Sequence, residues 1–139
     1  MADDCIFCRI AAGEVPCTRV YEDDTCLAFM DIGPLADGHT LLISKKHYEF
    51  IHEMPADEAA HLGRQIPALA RAVQEAMGAD GLNVLQNNGH VSGQAVGHVH
   101  FHFIPRVPGD GLGYRWPARE SDTETLKKQA DAIRQRLGT

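Results

Sequence analysis

Three histidines alternate with apolar residues in His98-Val99-His100-Phe101-His102-Phe103-Ile104-Pro105. Imidazole is a neutral nucleophile near physiological pH, a proton carrier and a metal ligand, so this stretch is where chemistry is first sought. A period of two is that of a β-strand, which puts all three imidazoles on one face and Val99 and Phe101 on the other. Same-face neighbours on a strand lie roughly 6.6–7 Å apart, close enough for one phosphate to touch two of them. Pro105 is expected to end the ladder. On this stretch alone, metal binding and nucleophilic catalysis weigh equally.

Other reactive residues sit elsewhere. Cys5 and Cys8 form a CxxC near the N-terminus, ahead of a short apolar segment ending at Gly13. A redox pair would follow a strand and open a long helix, so the context favours a metal, but zinc needs two further ligands. Asp31 follows an apolar run directly and precedes Ile32-Gly33-Pro34; it is a turn residue or a ligand carboxylate, and the sequence leaves the choice open. The loop Asn87-Asn88-Gly89-His90-Val91-Ser92-Gly93-Gln94-Ala95 leads into His98. Gly93 there either permits a positive φ or lets successive N–H groups cradle an anion, and its place before His98 favours the cradle. His39 opens an apolar run, and Lys45-Lys46-His47 closes it. His52 and His61 are expected on the surface with no role.

The elements that must hold these residues follow from patterning. Residues 18–21 and 26–30 read as a hairpin joined by Glu22, Asp23 and Asp24. Residues 38–44, 81–86 and 98–105 supply three more strands. A helix starts at Pro55 with Asp57 and Glu58 in its first turn. Its stripe is Ala59, Leu62, Ile66, Leu69, Ala70, Val73 and Met77. Pro67 should kink or split it, and Gly78 should cap it. A loop at 109–117 carries the only tryptophan, Trp116. Ser121 to Glu124 has capping-box form, and Leu126, Ala130, Ile133 and Leu137 continue at helical spacing. Hairpins and helices do not alternate as βαβ, which predicts an α+β chain with a five-stranded, mostly antiparallel sheet and two main helices. Barrels that carry HxH metal pairs need about 250 residues, more than this chain has.

A chain of 139 residues fits one domain, 1–139, with a core of its own. Its 44% apolar and 23% charged content is that of a soluble globular protein. A net charge of -6 argues against nucleic acid as the partner, and no apolar run spans a membrane. Met1-Ala2-Asp3-Asp4 lacks the basic start of a signal peptide, so a cytoplasmic protein with four reduced cysteines is expected.

The residues together resemble a known family. His98-Val-His-Phe-His-Phe-Ile is similar to the histidine triad (HIT) signature of three histidines separated by apolar residues. The likeness extends to residues 5–16, Ala28-Phe-Met-Asp-Ile32, Gly38-His-Thr-Leu-Leu-Ile-Ser-Lys-Lys-His47, Asn87, Gly93-Gln94 and Ile104-Pro-Arg106. It covers most of the chain from Cys5 to about Trp116 and is nearest to the bacterial histidine triad nucleotide-binding type.

The resemblance implies a HIT-like fold whose two copies pair into a ten-stranded sheet. It implies a nucleotidyl hydrolase that cleaves at the α-phosphate of nucleoside 5′-phosphoramidates or related adenylylated compounds. His100 would be the nucleophile, forming a nucleotidyl-histidine that water resolves. His102 and the backbone of Gly93–Ala95 would meet the phosphate, and His98 and His39 would orient or relay protons. Asp31 would accept the ribose hydroxyls, Ile32 and Phe7 would flank a purine base, and Asn87 and Gln94 would lie near the phosphate and leaving group. Ala95 departs from the hydroxyl residue often found there, which bears on how the leaving group gains its proton. A dinucleoside polyphosphate hydrolase or a non-catalytic nucleotide-binding protein are the alternatives. Some relatives bind structural zinc through a CxxC and two histidines, which implies Cys5, Cys8, His47 and His98 here. The chemistry itself would need no cofactor.

Overall fold

The computed structural model describes residues 4–113 and 116–138. Met1 to Asp3 of the acidic start, Tyr114 and Arg115 of the loop before Trp116, and Thr139 lie outside the described residues.

Five strands form one antiparallel sheet: β1 (Arg19–Glu22), β2 (Cys26–Met30), β3 (Thr40–Ser44), β4 (Gly81–Gln86) and β5 (His100–Arg106). Their order is β1-β2-β3-β5-β4. The hairpin of β1 and β2 turns at Asp23, whose Oδ1 accepts the N–H groups of Thr25 and Cys26 at 2.8 and 2.9 Å. That carboxylate does what a turn aspartate does, replacing backbone acceptors that the reversal leaves short.

The helices are α1 (Ile6–Ala11), α2 (Ala56–Arg64), α3 (Ile66–Met77) and α4 (Thr123–Leu137). The expected split of the long helix occurs at Gln65, where Pro67, in the first turn of α3, cannot donate backward. Gly78 ends α3 at φ 59, a left-handed cap open to glycine without strain. Leu62, Leu69 and Val73 of the stripe pack with Leu42, Val99 and Phe103 under one face of the sheet. The opposite face holds Leu27, Phe29, Leu41 and Ile43, covered by Cys5, Phe7 and Cys8. The central strands β2, β3 and β5 are therefore covered on both faces, and the N-terminal segment with α1 forms the thin second cover.

Several expectations need correction. β5 runs to Arg106, and Pro105 lies inside it, paired with Leu82 of β4. The β3 ladder has already ended at Thr40 opposite Phe103, so the missing N–H of Pro105 deprives no strand on that side. His98 precedes β5 rather than opening it, and His39 precedes β3. The N-cap of α4 is Asp122, accepting from Thr125 N–H at 2.7 Å, not Ser121. No side chain of α4 is buried: Leu126, Ile133 and Leu137 are all exposed. Among the described residues, no helix is long and apolar enough to cross a membrane.

Candidate active site and metal centre

The three histidines lie on the face covered by the N-terminal segment, as a two-residue period requires. The rings of His100 and His102 sit 4.8 Å apart, and Phe7 stands edge-on to His98 and His100 at 5.9 and 5.1 Å. Val99 and Phe103 point the other way, into the helical core.

Backbone carbonyls fix which nitrogen of each ring carries hydrogen. His100 Nδ1 lies 2.7 Å from the His98 carbonyl, which only accepts, so Nδ1 donates and the neutral ring presents a bare Nε2. His98 Nε2 lies 2.7 Å from the Ser44 carbonyl and donates for the same reason, leaving its Nδ1 as a lone-pair donor. His39 Nδ1 accepts the Leu35 N–H at 3.0 Å, so its hydrogen is on Nε2. That Nε2–H meets His102 Nδ1 at 2.9 Å, which leaves His102 with a free Nε2–H donor. One ring thus offers a nucleophilic lone pair, and the next offers a donor.

Burial favours the neutral rings throughout. It lowers His100 despite the bond to the His98 carbonyl, and lowers His39 despite the nearby Asp31 carboxylate. It holds His102 down at about 4, helped by the adjacent His100 and His39.

Lone pairs converge at a second point. Cys5 Sγ, Cys8 Sγ, His47 Nδ1 and His98 Nδ1 all lie within 4.8 Å of one another. The separations are 3.3 Å from Cys5 to His98, 3.2 Å from Cys8 to His47 and 3.3 Å between the two histidines. A tetrahedral ion with the usual Zn–S and Zn–N lengths has S–N edges of about 3.6 Å and N–N edges of about 3.3 Å. The four atoms therefore fit the corners of such a site, and these residues can hold a metal ion. The CxxC reaches it because Cys5 is the N-cap of α1, whose first turn brings Cys8 back beside it.

Asp31 joins the His39–His102 pair. Its Oδ1 accepts the Gly33 N–H at 2.8 Å, so it is the turn residue, and its Oδ2 faces His39 Nε2 at 3.5 Å, so it also borders the site. Ile32 is 99% exposed, free to meet a flat ligand group, whereas Phe7 is buried against the imidazoles and supports the rings. Gln94 is buried with both ends of its amide committed: Oε1 accepts Gly89 N–H at 2.6 Å and Nε2 donates to the Glu49 carbonyl at 2.7 Å. It braces the loop rather than facing it outward. The cradle is also narrower than expected. Gly93 and Gln94 N–H bond the His90 and Gly89 carbonyls, and only Ala95, of the three, keeps its N–H without a partner among the described residues. The amide of Asn87 packs beneath Gly93, where a Cβ would stand 3.6 Å from Asn87 Nδ2.

Residues that matter through their backbone were missed by sequence reading: Ser44, Leu35, Glu49, and Tyr48, whose carbonyl accepts Val99 N–H at 2.8 Å. No side-chain signal marks such positions. A separate cavity of about 290 Å³ lies between the end of β3 and α2. Its Lys46 and Tyr48 both donate to Glu58, one to each carboxylate oxygen.

Known proteins share this fold. The model of the HIT domain matches residues 12–109. A solved member of the HIT family from Bacillus subtilis is 40% identical, with a TM-score of 0.94 over 99% of this chain and 99% of that one. An adenosine 5′-monophosphoramidase of Schizosaccharomyces pombe is 40% identical over 96% of this chain and 98% of its own length. A zinc-bound histidine triad family protein from Mycobacterium smegmatis is 36% identical, with a TM-score of 0.74 over 97% of this chain and 96% of that one.

Proposed function

Because the chain belongs to the HIT family, we propose that it hydrolyses nucleoside 5′-phosphoramidates or related adenylylated compounds at the α-phosphate. The observation that carries this reading is the paired polarity of two rings: a bare Nε2 on His100 beside a donor Nε2–H on His102. In the proposed reaction, His100 Nε2 attacks the α-phosphorus, the N–P bond forms, and the bond to the amine leaving group breaks. The amine takes its proton from solvent as the bond breaks, and water then displaces His100 from the nucleotidyl-histidine, giving its proton back to solvent as the nucleoside monophosphate is released. His102 Nε2–H and the Ala95 N–H donate to the oxygens on which charge builds. Asp31 takes the ribose hydroxyls, Ile32 flanks the purine, and His39 holds the tautomer of His102. Asn87, Gly93 and Gln94 shape the loop beneath the phosphate, and Gln94 acts by bracing.

The phosphoramidase name of the fission-yeast relative favours an amine leaving group over a dinucleoside polyphosphate. Ala95 has no hydroxyl to hand the amine a proton, so turnover should depend strongly on leaving-group basicity. The donor set of two thiolates and two imidazoles suits zinc, and the zinc-bound mycobacterial relative supports that choice. The ion would fill all four positions with protein ligands and so be structural. Through His98 it would fix the carbonyl that orients the nucleophile. A homodimer in the cytoplasm, where thiols stay reduced, completes the reading.

The test is His100→Ala. Hydrolysis of adenosine 5′-phosphoramidate should fall by at least about 10³-fold, as loss of a nucleophile demands. Binding of adenosine monophosphate should stay within a few fold of the unaltered protein. Hydrolysis retained within a few fold would overturn the covalent route. Faster turnover of diadenosine tetraphosphate than of the phosphoramidate would shift the assignment to the polyphosphate class, and activity lost at once on chelation would make the metal catalytic.

A further inference from the structure

The N–H of His39 that bonds His102 has a carboxylate beside it. Because Leu35 N–H occupies Nδ1, the ring's hydrogen is on Nε2. It donates to His102 Nδ1 at 2.9 Å, and the Asp31 Oδ2 oxygen lies 3.5 Å from the same nitrogen, beside that bond rather than in it. The carboxylate is held from behind, since Asp31 Oδ1 accepts Gly33 N–H at 2.8 Å. The Asp31 side chain is 22% exposed and that of His39 only 2%. A ligand therefore reaches the carboxylate from solvent without reaching the imidazole beneath it.

Resting on the reading of Asp31 as the ribose contact, we propose that Asp31 couples the sugar to the chemical step through His39. A ribose hydroxyl that donates to Oδ2 offsets the carboxylate charge that lies beside the His39 N–H. The existing Nε2–H bond to His102 Nδ1 is then unopposed, and the His102 ring is locked with its own Nε2–H toward the phosphate. With the hydroxyl absent, the Asp31 charge beside the bond pulls on the His39 N–H and loosens the lock on His102. Asp31 is thus a positioning residue whose effect reaches the transition state. A hydroxyl that served only for binding would hold ground state and transition state alike and would alter KM alone.

No metal belongs at this second cluster. Asp31 Oδ2, His39 Nε2 and His102 Nδ1 lie within 4.8 Å of one another, but a metal on His39 Nε2 would move the hydrogen to Nδ1, against the Leu35 N–H. The cluster is built to pass a hydrogen bond.

The experiment compares adenosine 5′-phosphoramidate with its 2′-deoxy and 3′-deoxy counterparts, on the unaltered protein and on Asp31→Ala. At least one deoxy substrate should lose about tenfold in kcat, the size of one hydrogen bond to a charged group. In Asp31→Ala the kcat values for the three sugars should converge within about twofold. Discrimination confined to KM, or kcat discrimination that survives in Asp31→Ala, overturns the proposal. Long-range 1H–15N spectra of the histidine rings provide the second readout. Saturating adenosine monophosphate should shift His39 Nε2 and His102 Nδ1, and the matching deoxynucleotide should not; equal shifts also overturn it. If no phosphoramidate is turned over but the monophosphate binds, the hydrolase reading fails and these spectra alone decide the coupling. If the monophosphate does not bind, both fall.

Discussion

At the scale of single residues, the site is a chain of hydrogen bonds whose directions are set by groups that cannot change role. The His98 carbonyl and the Leu35 N–H are backbone groups, one only an acceptor and the other only a donor. Everything between them follows: a bare Nε2 on His100 and a donor Nε2–H on His102. Protonation of either ring destroys this pattern, and burial opposes protonation. His102 is held at about 4 from an ordinary 6.5, and His100 is lowered in the same direction. Turnover should therefore stay level from pH 8 down through 6.5 and fall only below that, with the His102 donor lost at about 4. A kcat profile that halves near pH 6.5, as an exposed imidazole would give, counts against the buried neutral pair. The linkage runs the same way for stability. Below 6.5 the unfolded chain binds a proton that folded His102 refuses, so stability present above pH 6.5 is lost as the pH falls toward about 4. Melting temperatures measured across that range should decline steadily. The imidazoles were legible from their period alone, but the tautomers were not, because the groups that set them are carbonyls and amides that every residue carries.

At the scale of elements, β5 and the segments around it tie the Cys5, Cys8, His47 and His98 cluster to the His100 and His102 rings. His98 contributes Nδ1 to the cluster and its carbonyl to His100. After His47, the Tyr48 carbonyl holds Val99 N–H and the Glu49 carbonyl holds Gln94. A metal on this cluster pins α1, the end of β3 and the start of β5 together. Protein purified without chelator should carry about one zinc per chain, and Cys5→Ser with Cys8→Ser should lose it. Since an ion that binds only the folded form stabilises by a few kcal/mol at modest excess, its removal should lower the melting temperature by about 10 °C. A zinc-free protein with unchanged melting behaviour would argue that the thiols are metal-free. Gln94→Ala tests the brace independently: it leaves the Gly89 N–H and the Glu49 carbonyl without their partner and should cost about 1–3 kcal/mol in denaturant unfolding. A change below about 0.5 kcal/mol would mean that water replaces the amide without loss. Element boundaries were legible where composition changes sharply, as at Cys26–Met30 and Gly81–Gln86, which match the reading residue for residue. Pro105 misled because proline's effect depends on which neighbour strand has already ended, a tertiary fact. The capping residue of α4 misled because Ser121 and Asp122 both suit that place, and only the backbone path chooses.

At the scale of the whole molecule, the sheet has two edges with different chemistry. β1 is exposed throughout and carries Arg19 and Glu22, the charges that discourage a further strand. β4 reads Gly-Leu-Asn-Val-Leu-Gln, with no charge and no proline, and Val84 is exposed upon it. An uncharged edge of six residues is a template for another strand, and a second copy of β4 in antiparallel register is self-complementary. Such pairing would continue the five strands into ten across a two-fold axis. Leu62, Leu69 and Val73 of the helical stripe lie in the protomer's own core and are not free for such an interface. The amphipathic pattern of α4 was legible, yet its apolar side is unburied in the protomer, since periodicity reports a face and not what covers it. Light scattering at micromolar concentration should give twice the protomer mass. Val84→Lys places a cation on the edge, as natural edge strands do, and should shift the mass toward one protomer while the far-UV spectrum and melting stay close to those of the unaltered protein. A protomer mass for the unaltered chain would show that β4 is an edge tolerated in solution. A dimer untouched by Val84→Lys would move the interface away from β4.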